Sequence, residues 1–261
     1  MQVCTLASSS SGNCTLVREG DTYILIDAGI SMRRICCRLK ELNIDPGEIT
    51  AVFITHEHTD HICGIPMLTK KYGTPVYAPE IVAKNTVSVM PELFGKIAPV
   101  PVGEYFTFGE LDIRAFHTPH DTQESVGYKI TNGDRIFALA TDMGHVSEEV
   151  LRELIGVNAA VLEANHDITM LKNGPYPFSL KKRILSDYGH MSNKLCGRLT
   201  GRLFEYGATK VILGHLSKEN NTPELAYSTV KEQLAGSGGV PGENMELYVA
   251  PRVETSAILD V

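Results

Sequence analysis

The chain has 261 residues, 43% of them hydrophobic and 21% charged, and a net charge of −7. That balance suits a soluble protein with a sizeable core and argues against a broad basic surface for nucleic acid. No apolar run approaches the roughly 20 residues a membrane span needs. The N-terminal Met1-Gln2-Val3-Cys4-Thr5-Leu6 lacks the basic and long apolar regions of a signal peptide, so a cytoplasmic location and no membrane partner are expected. Six cysteines are present without any C-x-x-C pair, which favours free thiols over disulfides or a thiolate zinc site.

In chain order, Val3–Ala7, Cys14–Arg18 and Tyr23–Asp27 read as short strands, and Met32–Leu42 as a helix ended before Asn43 and Pro46. The β-branched run Ala51-Val52-Phe53-Ile54-Thr55 reads as a buried strand, and Ile62–Tyr72 as a helix stopped by Gly73. Strands return over 107–131, with turns at Gly109-Glu110 and Asn132-Gly133, and continue through Arg135–Ala140. Ser147 caps a helix with Glu148 and Glu149 in its first turn, where the dipole favours acids. Ala159–Glu163 reads as a strand, Asn193–Tyr206 as an amphipathic helix, Lys210–Leu213 as a strand and Pro223–Leu234 as a last helix. No linker or repeat interrupts the chain, so one domain over 1–261 is expected. Two blocks of strands, each interleaved with helices, predict two sheets covered by outer helices.

The chemistry concentrates at strand ends. His56-Glu57-His58-Thr59-Asp60-His61 follows the 51–55 strand, and imidazoles and carboxylates are the ligands that borderline divalent metals prefer. Asp142 ends the strand Ile136-Phe137-Ala138-Leu139-Ala140, His215 ends Val211-Ile212-Leu213, and His120 follows the strand at Ile113–Phe116. Four separate strand ends thus each present a metal-type ligand. His117 is the rival of His120, which is preferred for its place before the Gly127-Tyr128 strand.

These motifs together resemble the metallo-β-lactamase-fold hydrolases over nearly the whole length. Ile26-Asp27-Ala28-Gly29 looks like that family's first motif, His56-x-His58-x-Asp60-His61 its second, and His120, Asp142 and His215 the next three in order. The resemblance implies a four-layer αββα sandwich with a two-metal site at one edge. His56, His58 and His120 would hold one ion, and Asp60, His61 and His215 the other. Asp142 would bridge them, and Asp27 would be structural. Zinc, manganese and iron all suit such ligands. The implied chemistry is hydrolysis by a bridging hydroxide, with Asp60 among the catalytic groups.

The last third carries the expectation about substrate. His190-Met191-Ser192-Asn193, ahead of Gly207-Ala208-Thr209-Lys210 and His215-Leu216-Ser217, resembles the ribonuclease Z branch. By that resemblance His190 protonates the leaving alkoxide and Glu163 orients His190. A protruding tRNA arm is not evident, and the Asp142–His215 interval is too short for a large cap domain.

A closer resemblance is to the YycJ/WalJ-type bacterial family, regarded as DNA 5′-to-3′ exonucleases. It rests on Leu6-Ala7-Ser8-Ser9-Ser10-Ser11-Gly12-Asn13, Thr141-Asp142-Met143-Gly144-His145, Glu163-Ala164-Asn165-His166-Asp167 and Gly189-His190-Met191-Ser192-Asn193. The expected function is a dinuclear metal-dependent phosphodiesterase with DNA as substrate. The alternative is a small-molecule hydrolase of a cyclic phosphodiester, thioester or lactone on the same fold. His145 and His166 are read as orienting partners of ligands, with satisfied loop histidines as the alternative, and Ser8–Asn13 reads equally as a phosphate cradle or as an ordinary polar hairpin turn. Lys172 and Lys181-Lys182-Arg183 are read first as a solvated face, and Tyr176 and Phe178 first as loop packing. A nucleic-acid track and base stacking are the competing readings.

Overall fold

Along most strands hydrophobic side chains occupy both alternating positions, so each sheet must be covered on two faces. A computed structural model describing residues 1–261 shows how this is met. The first half contains β1 (Gln2–Ser9), β2 (Gly12–Glu19), β3 (Thr22–Ile26), α1 (Met32–Glu41), β4 (Ala51–Phe53), α2 (Thr59–Ile62), α3 (Ile65–Tyr72), β5 (Val76–Ala78), α4 (Glu80–Val89) and β6 (Ile97–Pro99). The second half begins with β7 (Tyr105–Phe108), β8 (Leu111–His117), β9 (Val126–Asn132), β10 (Arg135–Ala140), α5 (Glu148–Leu154) and β11 (Ala159–Glu163). It continues with α6 (Ile168–Asn173), α7 (Phe178–Ile184), α8 (Asn193–Glu205), β12 (Lys210–Gly214), α9 (Pro223–Ala235), β13 (Glu246–Val249) and β14 (Leu259–Asp260).

These strands make two seven-stranded sheets, ordered β14-β1-β2-β3-β4-β5-β6 and β13-β12-β11-β10-β9-β8-β7. Each is antiparallel on one side and parallel on the other: β3 through β6 run parallel, as do β10 through β13. Side-chain alternation builds three apolar layers. Ile24, Ile26, Phe53, Tyr128, Phe137, Val161 and Ile212 meet between the sheets. Leu25, Val52 and Ile54 face outward to Ile35, Leu39, Leu68 and Val82 on α1, α3 and α4. Ala138, Leu162, Val211 and Leu213 face Leu154, Leu199, Leu203 and Val230 on α5, α8 and α9. Two sheets between two helical layers match the covered sheets that the strand pattern predicts and the αββα sandwich that the resemblance implies.

Several elements differ from the sequence reading. The helix expected over Ile62–Tyr72 is two, α2 and α3, separated at Cys63-Gly64. The break follows from crowding. A Cβ on Gly64 would stand 2.3 Å from the carbonyl oxygen of Ile30, so the chain turns at this point against the 28–30 segment. The stretch 74–99, unassigned from sequence, supplies β5, α4 and β6. The strand block expected from 107 begins at Tyr105, and the helix expected to reach Tyr206 ends at Glu205. The Asn132-Gly133 turn does join antiparallel β9 and β10, with Gly133 at φ 58°. At the parallel sides of both sheets, the C-terminal ends of β3, β4, β10, β11 and β12 open toward the same edge of the sandwich, and in sheets of this kind ligands gather at such ends.

Candidate metal centre

Asp27, one residue beyond β3, organises the loop after β4. Its carboxylate accepts from the Thr55 N–H and from the Thr55 hydroxyl, each at 2.8 Å, and contacts His61 Nδ1 at 2.7 Å. The Tyr128 hydroxyl, fully buried, donates to the Ile54 carbonyl at 2.7 Å and pins the end of β4. The chain then enters the single turn α2 with His58 as its N-terminal cap residue, which presents Asp60 and His61 from one turn. Gly29 makes this approach possible, because a Cβ there would lie 1.6 Å from the Asp60 carbonyl oxygen. Asp27 therefore supports the cluster from behind and leaves His61 Nε2 facing it, 3.3 Å from Asp142 Oδ2 and 3.5 Å from Asp60 Oδ2.

The predicted residues converge in overlapping groups whose ligand atoms lie within 4.8 Å of one another. His56, His58 and His120 form one group, and Asp60, His61 and His215 another. Asp142 shares a group with His56 and His61 and a further one with Glu163, His190 and His215, so its carboxylate stands between the two sets. The Gly189 carbonyl, 3.2 Å from His120 Nδ1, leaves Nε2 turned inward, 3.3 Å from His58 Nδ1. His117, in contrast, is half exposed and contacts Glu124 and Glu149 outside the cluster.

Asp27, Asp142 and His215 all have left-handed backbone, at φ 61°, 58° and 55°. Asp27 and His215 are the first residues past their strands and Asp142 the second, and the positive φ swings the side chain inward where an extended residue would continue the pleat.

Glu163, fully buried at the end of β11, joins the cluster to His190. Its Oε1 lies 2.7 Å from His190 Nδ1 and 2.8 Å from His215 Nδ1, and its Oε2 accepts the backbone N–H groups of Met143 and Met191 at 3.0 Å. One carboxylate thus fixes two imidazoles and the backbone next to Asp142 and His190. With Nδ1 so engaged, His190 has Nε2 free, and its side chain is 21% exposed at the mouth of the site.

The electrostatics show a surplus of buried negative charge. Burial alone would raise the carboxyl pKa values of Asp60 and Glu163, but His61 and His215 beside Asp60, and His190 and His215 beside Glu163, hold both well below the usual carboxylate range. Burial opposes protonation of His215, yet Asp142, Asp60 and Glu163 outweigh it and carry its pKa up to about 10. His61 is raised for the same reason, by Asp142, Asp27 and Asp60. His190 is raised against burial chiefly by Glu163. Burial and the neighbouring imidazoles keep His56 low, and burial keeps His120 low, which favours the neutral imidazole that a metal would require.

Three buried polar atoms, His56 Nε2, His215 Nε2 and Asp142 Oδ2, have no hydrogen-bond partner. Buried groups of this kind are rarely left orphaned, and an ion is one of the standard reasons. The donor set therefore fits divalent metals.

Some contacts were not legible in the sequence. Asn13 Nδ2 lies 3.1 Å from His61 Nε2, and the Ser8 hydroxyl accepts the His215 N–H at 2.9 Å. The Ser8–Asn13 run, read as a phosphate cradle, thus spends part of its polar capacity bracing the cluster. Glu57 ties the histidine loop to Thr122 and Asn85. Only the pairing of distant strands brings these together. His145 and His166 make no hydrogen bond to the cluster. His145 contacts the Asp187 carbonyl at 2.8 Å, and buried His166 has both ring nitrogens unpartnered. Lys181 donates to the Lys172 carbonyl, Arg183 pairs with Asp121, and Phe178 is 82% exposed.

Comparison with known proteins agrees with this geometry. Residues 22–216 match the beta-lactamase superfamily domain. The chain is 37% identical over 248 residues to "Exodeoxyribonuclease YycJ" of Bacillus anthracis, covering 93% of this chain and 92% of that protein. It is 38% identical over 250 residues to "Exodeoxyribonuclease WalJ" of Streptococcus pneumoniae, covering 93% and 91%. Among solved structures, the metallo-beta-lactamase fold protein YhfI of Bacillus subtilis superposes with a TM-score of 0.73 at 17% identity, over 98% of both chains. The short form of human tRNase Z does so with a TM-score of 0.67 at 16% identity, over all of both chains.

Proposed function

The chain belongs to the beta-lactamase superfamily and is a homologue of the YycJ/WalJ exodeoxyribonucleases, and from that premise we propose that it removes nucleotides from DNA ends in the 5′-to-3′ direction by metal-dependent hydrolysis. The observation that carries this reading is the His190–Glu163 pair beside the histidine and aspartate cluster. A phosphodiester leaves as a strongly basic alkoxide and needs a proton, whereas a thiolate does not. A small-molecule thioesterase reading would leave the pair without a task.

In this mechanism His56, His58 and His120 would hold one divalent ion and Asp60, His61 and His215 the other, with the Asp142 carboxylate available to both. Bound ions of this kind supply Lewis acidity to the phosphoryl oxygens and lower the pKa of a water. The protein's own groups do the rest. Glu163 orients His190 through Nδ1 and raises its proton affinity, which favours a charged imidazole with an Nε2–H to donate at the site mouth. As the water oxygen bonds to phosphorus and releases a proton to solvent, the bond from phosphorus to the leaving oxygen breaks, that oxygen takes the Nε2 proton, and solvent returns a proton to His190. The products are a 5′-phosphate and a free 3′-hydroxyl. Asp60, part exposed between His61 and His215, completes the catalytic set.

The inter-sheet core draws on strands from both halves, which supports treating 1–261 as one domain. No helix is long and apolar enough to cross a membrane. A cytoplasmic location is part of the same proposal.

The test is purified protein with 5′- or 3′-labelled DNA and added Mn²⁺ or Zn²⁺. The 5′ label is expected to leave first as a mononucleotide, and Asp60→Ala or His61→Ala to abolish release. Intact DNA under every metal condition would overturn the reading.

A further inference from the structure

Next to His190 lies a cavity of about 280 Å³ that the cluster itself does not use. Its walls differ in character. Ser10, in the β1–β2 turn, Asn165, after β11, and Ser217, after β12, line one part, and Tyr176 and Leu180 another. The polar wall keeps unspent hydrogen-bonding capacity. The Ser10 hydroxyl and the Asn165 side-chain oxygen have no partner within the protein, and the Ser217 hydroxyl accepts from Asn220 without donating. The ring of Tyr176 is half-buried and its hydroxyl makes no hydrogen bond.

We propose that this cavity seats the single terminal nucleotide that leaves on cleavage, and that a paired end must open before it can be cut. The inference rests on the exonuclease reading and goes on to name the form of DNA the site accepts. If His190 protonates the leaving oxygen, the nucleoside bearing that oxygen must lie on the His190 side of the cluster, where the cavity is. Its mixed walls match the two halves of a nucleotide: hydroxyl and amide groups for sugar and phosphate, an aromatic face and Leu180 for the base. Stacking on an aromatic ring tolerates any base, as an exonuclease without sequence preference requires. The volume suits one nucleotide and excludes a base pair. Enzymes that work on a base in a snug pocket likewise take it out of the duplex first.

The experiment compares three 5′-phosphorylated ends of otherwise identical DNA: an unpaired tail, a mismatched terminal pair and a blunt G·C-clamped end. Bis(p-nitrophenyl) phosphate serves as a generic phosphodiester. The clamped end is expected to lose its first nucleotide about tenfold more slowly than the unpaired tail, the cost of opening one stacked pair, with the mismatch between. Tyr176→Ala is expected to lower kcat/KM on the unpaired tail by about ten- to a hundredfold, at least tenfold more than on bis(p-nitrophenyl) phosphate. Tyr176→Phe should keep the wild-type rate. Leu180→Trp, which fills the cavity with a side chain, should reproduce the loss. Tyr206→Ala, at the far end of α8 and roughly 20 Å from His190, should change nothing. Equal rates on all three ends, or a Tyr176→Ala loss no greater on DNA than on bis(p-nitrophenyl) phosphate, would overturn the inference and leave the exonuclease reading standing. Failure to cut any DNA would remove both.

Discussion

His190→Gln is the substitution that best separates proton donation from metal chemistry. Glutamine keeps a polar side chain near Glu163 but cannot deliver a proton. The wild-type imidazole is held by Glu163 at 2.7 Å through Nδ1, and the same carboxylate raises its pKa, which favours a proton on the outward Nε2. Losing a positioned general acid costs typically about 10²–10⁴-fold in rate, or roughly 3–5 kcal/mol of barrier. That loss is expected on DNA, whose leaving oxygen is a basic alkoxide. On bis(p-nitrophenyl) phosphate the leaving phenolate departs without help, so the loss should be at least tenfold smaller. Single-turnover rates on both substrates, with metal content measured alongside, give the comparison. Equal losses at unchanged metal content would refute the proton-donor role and leave His190 as a substrate-binding or structural residue.

Gly29→Ala places a methyl group 1.6 Å from the Asp60 carbonyl oxygen, so the Asp60-His61 turn must move; bound metal and DNA cleavage should fall together, as measured by metal analysis and the end-label assay. Burial pushes the His166 imidazole down to about 4, so the folded protein resists a proton that the unfolded chain binds near 6.5. Its contribution is constant above that value, and roughly 3 kcal/mol of stability is lost as pH falls from 6.5 to 4. His166→Gln should therefore flatten the fall of Tm across that window relative to the parent, and an unchanged slope would dismiss it. Chelation should abolish activity and lower Tm, and metal restored to a hundred times its dissociation constant should return about 2.7 kcal/mol. A Tm indifferent to metal would argue against the ions as part of the folded structure.

The histidine and aspartate positions were legible because each follows a strand whose hydrophobic run is itself legible. Asp142 after Ile136–Ala140 and His215 after Val211–Leu213 are plain from sequence, and so is the need for two covered sheets. The stretch 74–99 was not, because β5 and β6 are only three residues each, too short for a period to emerge, and β6 ends in proline. The joint role of Glu163 was half visible. Its link to His190 followed from resemblance, but its contact with His215 depends on β11 and β12 lying side by side, which local sequence does not encode. The break between α2 and α3 was hidden because helical periodicity on either side masks a packing constraint imposed by residues 28–30. The cavity beside His190 joins segments as far apart as Ser10 and Ser217 and has no local signature at all.

The left-handed backbone at Asp27, Asp142 and His215 sets the site against the fold. A residue with a Cβ held there costs roughly 1–2 kcal/mol over its relaxed state, with aspartate at the tolerant end. Glycine would relieve that strain at each position, but at Asp27 it would also leave the Thr55 N–H, the Thr55 hydroxyl and His61 Nδ1 without their buried partner, which costs more than the strain returns. At Asp142 and His215 the balance turns on the ions: a screen for heat resistance with metal withheld would tolerate glycine there, whereas one for DNA turnover would have to find its added stability elsewhere, in the helical layers remote from the strand ends.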